Sequence, residues 1–259
     1  MIIYKTIEQI ELIRQSSLLV AKTHAEIAKL IRPGITTKQL DKIAEEFIRD
    51  NNAIPAFKGY GGFPSTLCTS INEEVVHGIP GERFLENGDV ISVDCGVKMN
   101  DYYGDSAYTY AVGDISKEKK NLLKITKESL YKGLDFVNGS FRLGDISYAV
   151  QKHAEDNGFS VVRELVGHGI GKNLHEEPQV PNFGKRGKGV KLREGMVIAV
   201  EPMINIGKKE VIQLNDGWTI KTVDGLSSAH FEHTVAIVNN KLDILSSFEY
   251  LEKELEKYG

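Results

Sequence analysis

The chain has 259 residues, with 36 acidic and 32 basic side chains, a net charge of −4 and a pI near 6.0. That length suits one large domain with a sizeable core, and the scattered Lys and Arg offer no basic face with stacking aromatics, so no nucleic-acid partner is expected. Only two cysteines, Cys68 and Cys95, point to a reducing, cytoplasmic setting without disulfides, and with neither a leader pattern nor an apolar run of about 18 residues no membrane association is expected.

Taken in order, Thr6 to Gln9 fits a capping box, and Ile10, Ile13, Leu18, Val20, Ile27, Leu30 and Ile31 then recur at helical spacing until Pro33-Gly34 stops them. Thr36 to Gln39 caps a second helix, with Leu40, Ile43, Phe47 and Ile48 on one face. Residues 57–81 are rich in Gly and Pro, which predicts loops and short strand pieces. Tyr60, Phe63 and Cys68 are apolar for a solvated loop, so they either tuck onto the core or wall a pocket.

Residues 85–94 (LENGDVISVD) are written again as residues 192–201 (LREGMVIAVE), with five of ten positions identical and a carboxylate ending each Val-Ile-x-Val run. The offset is 107 residues, and a weaker helical echo of residues 40–51 (LDKIAEEFIRDN) follows 106 residues later as residues 146–157 (ISYAVQKHAEDN). We read an α+β duplication in which each half packs a helix on strands. The halves, about 1–115 and 116–259, would form a single domain over residues 1–259.

After Asp94, Met99-Asn100 reads as a turn, and a hairpin about it would set Asp94 directly opposite Asp105 with Cβ atoms about 4.5–5.5 Å apart. Two carboxylates so placed need a proton or a cation between them. A third helix is expected over residues 116–136, with Leu122, Leu123, Ile125, Leu130, Leu134 and Phe136 toward the core. In residues 163–183, His168 lies between two glycines and His175 opens a turn whose Glu176 and Glu177 read as solvated charges. A lone histidine is more often structural, but glycine on both sides lets the backbone approach something else. Residues 185–191 (KRGKGVK) read as an exposed loop, residues 192–245 alternate like strands with Glu232 where a core strand should be apolar, and residues 249–259 read as a charged peripheral tail.

Asp94, Asp105, Glu201 and Glu232 thus put four carboxylates at strand ends in both halves, and His168 adds an imidazole. Burying four such charges without counter-charge is prohibitive, whereas two divalent cations neutralise them. Oxygen ligation with one histidine suits Co, Mn, Fe or Zn. A pair of such ions activates water and polarises a carbonyl, which predicts hydrolysis.

The stretches GDVISVDCG, GDSAYT, VGHGIG, NLHEEPQVP, AVEPM, DGWTIKT and HFEHTVAI resemble those of the type I methionine aminopeptidase family, which has the creatinase-like "pita-bread" fold. The resemblance runs from the first helix to about Val238 and implies two pseudo-twofold related halves with a dinuclear metal site between them. It implies Asp94 on one ion, His168 and Glu201 on the other, and Asp105 and Glu232 bridging both. Glu201 would also shuttle a proton, His175 would bind the scissile carbonyl oxygen and His77 would contact the leaving nitrogen. Cys68 and Cys95 take no part as nucleophiles. The implied substrate is the initiator methionine of new proteins whose second residue is small, its side chain held by Tyr60, Phe63, Cys68 and Trp218. Phe57, where the family commonly has a second cysteine, and Leu174, where an aromatic occurs, depart from the pattern and bear on pocket size. A cytoplasmic monomer acting on the N-terminal peptide of nascent proteins is implied, with the ribosome as a candidate docking partner. Members of the same fold that cut before proline carry a large extra N-terminal domain, for which this chain has no room. Non-catalytic members have lost the ligands that this chain keeps. A purely structural metal protein would not explain His77, His175 and the apolar loop.

Overall fold

A computed structural model describes residues 1–257. Helix α1 (Ile7–Ala28) opens with the Thr6 capping box, Gln9 N–H donating to Thr6 Oγ1 at 3.3 Å and Thr6 N–H to Gln9 Oε1 at 3.0 Å. Helix α2 (Thr37–Asp50) repeats the device with Thr36 and Gln39. Each box satisfies two backbone donors that a helix start otherwise leaves unpaired. There follow β1 (Ile54–Pro55), a 3₁₀ turn at Tyr60–Gly62, β2 (Leu67–Ile71), β3 (Glu74–Val76), β4 (Val90–Met99) and β5 (Tyr102–Ala111). Strand β4 is central, with β5 along one edge and β2 and β1 in succession along the other.

Helix α3 (Lys117–Leu134), capped by Ser116, and helix α4 (Leu143–Asp156) open the second half. It continues with β6 (Ser160–Val161), β7 (Gly167–Gly169), β8 (Glu176–Val180), β9 (Val197–Val200), β10 (Met203–Asn205), β11 (Val211–Gln213) and β12 (Ile220–Thr222). Strands β13 (Ser228–His230), β14 (His233–Val238) and β15 (Lys241–Ile244) and helix α5 (Glu249–Leu255) complete the chain. The duplication holds in detail. Strand β4 corresponds to β9 and β10 together, split where Pro202 cannot donate to a ladder. The pairs Pro55–Val97 and Ile54–Lys98 of the first half recur as Val161–Ile204 and Ser160–Asn205.

The halves meet where β5 lies along β13 and β14. Glu232 N–H donates to Ala107 O at 2.9 Å, Ser106 Oγ to Glu232 O at 2.7 Å and Thr234 Oγ1 to Asp105 O at 2.8 Å. Apolar side chains of both halves, among them Val20, Leu40, Val93, Leu122, Leu130, Ile198 and Val235, join one continuous core. Each large aliphatic side chain buried this way contributes about 1.5–3 kcal/mol. Helix α1 sits so close on β5 that a Cβ at Gly104 would stand 2.4 Å from Ser17 N, so only glycine fits there.

Three expectations are corrected. The β4–β5 turn is centred on Asn100 and Asp101, both at positive φ (52° and 62°), so Met99 pairs with Tyr102 and Asp94 faces Ala107 rather than Asp105. A two-residue turn with both central residues left-handed matches strand twist, and Asn and Asp tolerate it. The tail is not peripheral, since α5 buries Leu251 fully and Lys127 is paired with Glu252; Tyr258 and Gly259 lie outside the described residues. Glu176 is not solvated either: its side chain is 4% exposed and paired with Lys5. Residues 185–191 are exposed, as expected. Among the described residues no helix is long and apolar enough to cross a membrane.

Candidate metal centre

Asp94 lies mid-way along β4, flanked by Cys68 of β2 and Ala107 of β5. Asp105 pairs with Gly96, which makes the two aspartates diagonal neighbours on one face of the hairpin. In the second half Glu201 follows β9 and Glu232 precedes β14, and they stand across from each other between the pairs Val200–His233 and Met203–His230. Asp105 and Glu232 are buried, whereas Glu201 and Asp94 keep an accessible edge. His168 comes from β7, between glycines whose Cβ atoms would stand 2.4 Å from Ala199 O and 2.3 Å from Glu177 O. The strand can therefore pass only with glycine on both sides of His168.

Ligand atoms of Asp105, His168 and Glu232 lie within 4.8 Å of one another. His168 Nε2 is 3.6 Å from Glu201 Oε1 and 4.0 Å from Asp105 Oδ2. His168 Nδ1 donates to Gly169 O at 2.9 Å, which assigns the lone pair of Nε2 to the carboxylates. Asp94 Oδ1, Asp105 Oδ1 and Glu232 Oε1 are buried without a hydrogen-bond partner, and no Lys or Arg is among the described residues lining the cavity. Burial pushes the Asp94 carboxyl up to about 7 and Glu201 up to about 8, and burial with neighbouring carboxylates drives Asp105 and Glu232 well above the usual range. Burial also lowers His168 to about 4 and keeps it neutral, as a ligand must be. Orphaned oxygens, absent counter-charge and an oxygen-plus-imidazole donor set fit a divalent cation.

The same cavity, of about 330 Å³, also contains His77, His175, Tyr60, Phe63, Cys68 and Trp218. His77 follows β3 in the left-handed region (φ 59°), and Gly78 beside it is pressed on β2, where a Cβ would stand 2.1 Å from Thr69 O. Burial lowers His77 to about 4. The His175 ring stands 4.3 Å from that of His168, and its Nδ1 is 2.8 Å from Tyr60 OH. Phe63 meets Trp218 edge-on at 5.2 Å. Phe57 fills the space left by Gly96, and Leu174 closes the wall. Cys68 is on β2 rather than in a loop. Sequence reasoning missed His230, a buried imidazole whose Nε2 is 3.5 Å from Glu201 Oε2, and Glu164 at the cavity wall. Alternation from Glu232 back through Phe231 would have put His230 on the same face.

Two halves of helix-backed antiparallel sheet enclosing a cluster of acids and one histidine define a metal-dependent hydrolase, and the chain belongs to metallopeptidase family M24, whose model matches residues 11–239. It is 54% identical over 246 residues to "Methionine aminopeptidase 1" of Bacillus subtilis strain 168, covering 95% of this chain and 99% of that one. The crystal structure of methionine aminopeptidase from Rickettsia prowazekii superposes with a TM-score of 0.94 at 41% identity, covering 95% of this chain and 100% of the other. The prolidase of Pyrococcus furiosus (TM-score 0.74, 22% identity, 95% of this chain and 66% of that one) shares the fold alone. The architecture is the pita-bread fold.

Proposed function

We infer that the chain removes the N-terminal initiator methionine from newly made proteins whose second residue is small, as a metal-dependent methionyl aminopeptidase. One observation carries this reading: the donor cluster opens directly onto the apolar pocket of Phe57, Phe63, Cys68, Leu174 and Trp218, a soft slot for an unbranched thioether. The residues from 1 to 259 act as a single catalytic domain, with the site between its halves. Asp94, Asp105, His168, Glu201 and Glu232 would hold two divalent ions (Mn, Fe, Co or Zn). When bound, they supply Lewis acidity that lowers the pKa of water and polarises a carbonyl.

The remaining chemistry belongs to side chains. Glu201, between His168 and His230, takes the proton of the attacking water and returns it to the leaving amine. With Tyr60 O–H as the donor to His175 Nδ1, 2.8 Å away, His175 Nε2–H donates to the scissile carbonyl oxygen and to the oxyanion that replaces it. His77 contacts the leaving nitrogen, and Tyr60, Phe63, Cys68 and Trp218 receive the methionine side chain. The protein works as a cytoplasmic monomer on N-terminal peptides of nascent chains, and docking to the ribosome would bring it to them.

Release of methionine from peptides differing only in the second residue tests the reading. Met-Ala-Ser should be cut and a bulky second residue refused. In Asp105→Asn or Glu232→Gln, turnover should fall by about a hundredfold or more together with bound metal. Full turnover in either variant, or cleavage of Xaa-Pro dipeptides in place of Met-Ala-Ser, would sink it.

A further inference from the structure

The ion pair of Lys5 with Glu176 holds neither cation nor substrate, and the chemistry above makes no use of it. Lys5 belongs to the segment ahead of α1. Its backbone N–H donates to Gly195 O at 2.7 Å, and Gly195, at φ 77°, is so close that a Cβ there would stand 2.6 Å from Lys5 O. From this tether the side chain runs inward. Lys5 Nζ donates to Glu176 Oε2 at 2.6 Å and to Ile3 O at 3.0 Å, and the two side chains are only 3% and 4% exposed. The second carboxylate oxygen, Glu176 Oε1, accepts from Asn173 N–H at 3.1 Å and closes the turn of residues 173–176. Gly171 seals the packing, since a Cβ would stand 2.6 Å from Lys5 Cε and 2.8 Å from Glu176 Oε1.

His175 is the residue next to this anchor. Glu176 pairs with Gly169 across β7 and β8, so the anchor also fixes the spacing between the neighbours of His175 and of His168. His175 itself is exposed at the cavity mouth, and its side chain is hydrogen-bonded to Tyr60. Its ring rests against those of Tyr60 and His168, and the turn beneath it sets the direction from which it meets them. A buried carboxylate deprived of its ammonium must bind a proton or swing toward water, and either relaxes that turn.

We propose that Lys5 is a positioning residue for peptide-bond hydrolysis, acting through Glu176 to hold the turn that aims His175 at the scissile carbonyl. This rests on the role given to His175 above. Displacing a catalytic group by about 1 Å can cost about a hundredfold in rate, so Lys5→Met should lower kcat by about ten- to a hundredfold with metal content unchanged. KM should stay within about twofold, since substrate contacts are untouched. Lys5→Arg, which keeps the charge, should recover most of the loss. The deciding measurement is a double-mutant cycle on kcat with His175→Ala, in which Lys5→Met should add nothing. Glu176→Gln is near-isosteric and keeps an acceptor for Asn173 N–H; it carries the same expectations should Lys5→Met fail to fold. A folded Lys5→Met or Glu176→Gln protein with wild-type kcat overturns the proposal, as does a loss that persists undiminished on the His175→Ala background. Wild-type kcat in His175→Ala alone would instead overturn the role of His175, and the proposal with it.

Discussion

A carboxylate that loses water and gains other carboxylates as neighbours binds a proton instead. With protons as the only counter-charge, Asp94 titrates at about 7 and Glu201 at about 8, because burial penalises their charged forms. In the unfolded chain both titrate near the ordinary value of about 4. The folded protein therefore holds protons that the unfolded chain has released, and its stability falls as pH rises through that interval. Buried histidines such as His24, His77 and His168 have lowered values and oppose the trend only below about 6.5, where the unfolded imidazoles charge. Between pH 6.5 and 8 the carboxyls act alone, each with a slope of up to about 1.4 kcal/mol per pH unit. Urea unfolding of chelator-treated protein should show this decline, and a saturating divalent cation should abolish it; a flat profile in chelator would mean that the cluster is not self-repelling. The same logic made the site legible, because a charge at an apolar strand position stands out without coordinates. What sequence could not supply was distance along the chain: Glu176 is paired with Lys5, 171 residues away, and no local pattern distinguishes it from the exposed Glu177.

The β4–β5 hairpin sets the spacing of two of the donors, and its turn sets the hairpin. Asn100 and Asp101 both adopt positive φ, and Asn100 Nδ2 also donates to Gln15 Oε1 on α1. Reading the turn as Met99-Asn100 preserved the face of Asp94 and Asp105, because the error moved each cross-strand partner by two residues and side chains alternate with period two. It misjudged only which residues are directly opposed. Helix starts were easier, since both capping boxes are written in four consecutive residues. If turn conformation fixes the register, a β-branched residue at Asp101 should resist it. Asp101→Val should cost about 1–2 kcal/mol of stability, seen as a lower urea midpoint with an unchanged slope. Turnover of the folded fraction should hold, because Lys98, the ion-pair partner of Asp101, lies outside the cavity. An unchanged midpoint would show that the strands, not the turn, dictate the pairing.

For the molecule as a whole, duplication was the feature most plainly written, with α2 and α4 standing 106 residues apart and β4 and β9 starting 107 apart. The seam was not visible, because it consists of side chain to backbone bonds such as Ser106 Oγ to Glu232 O that follow no periodic pattern. Each half contributes two carboxylates to the cluster, and only the second contributes His168. Neither half can neutralise its own acids, since no Lys or Arg is among the described residues lining the cavity. A cation held by both is thus linked to the docked state of the two halves, and its binding free energy becomes folding free energy. At about a hundredfold excess over its Kd, one such ion should stabilise the fold by about 2.7 kcal/mol, or raise Tm by about 5–10 °C for a chain of this size. Glu232→Gln, which removes a donor from the second half, should lose most of that shift while its own Tm in chelator is no lower than that of the chelator-treated wild type, because a neutral amide does not repel Asp105. A cation-induced shift of unchanged size in that variant would place the bound ion on one half alone, and the halves would then be joined by their seam and core rather than by the charge between them.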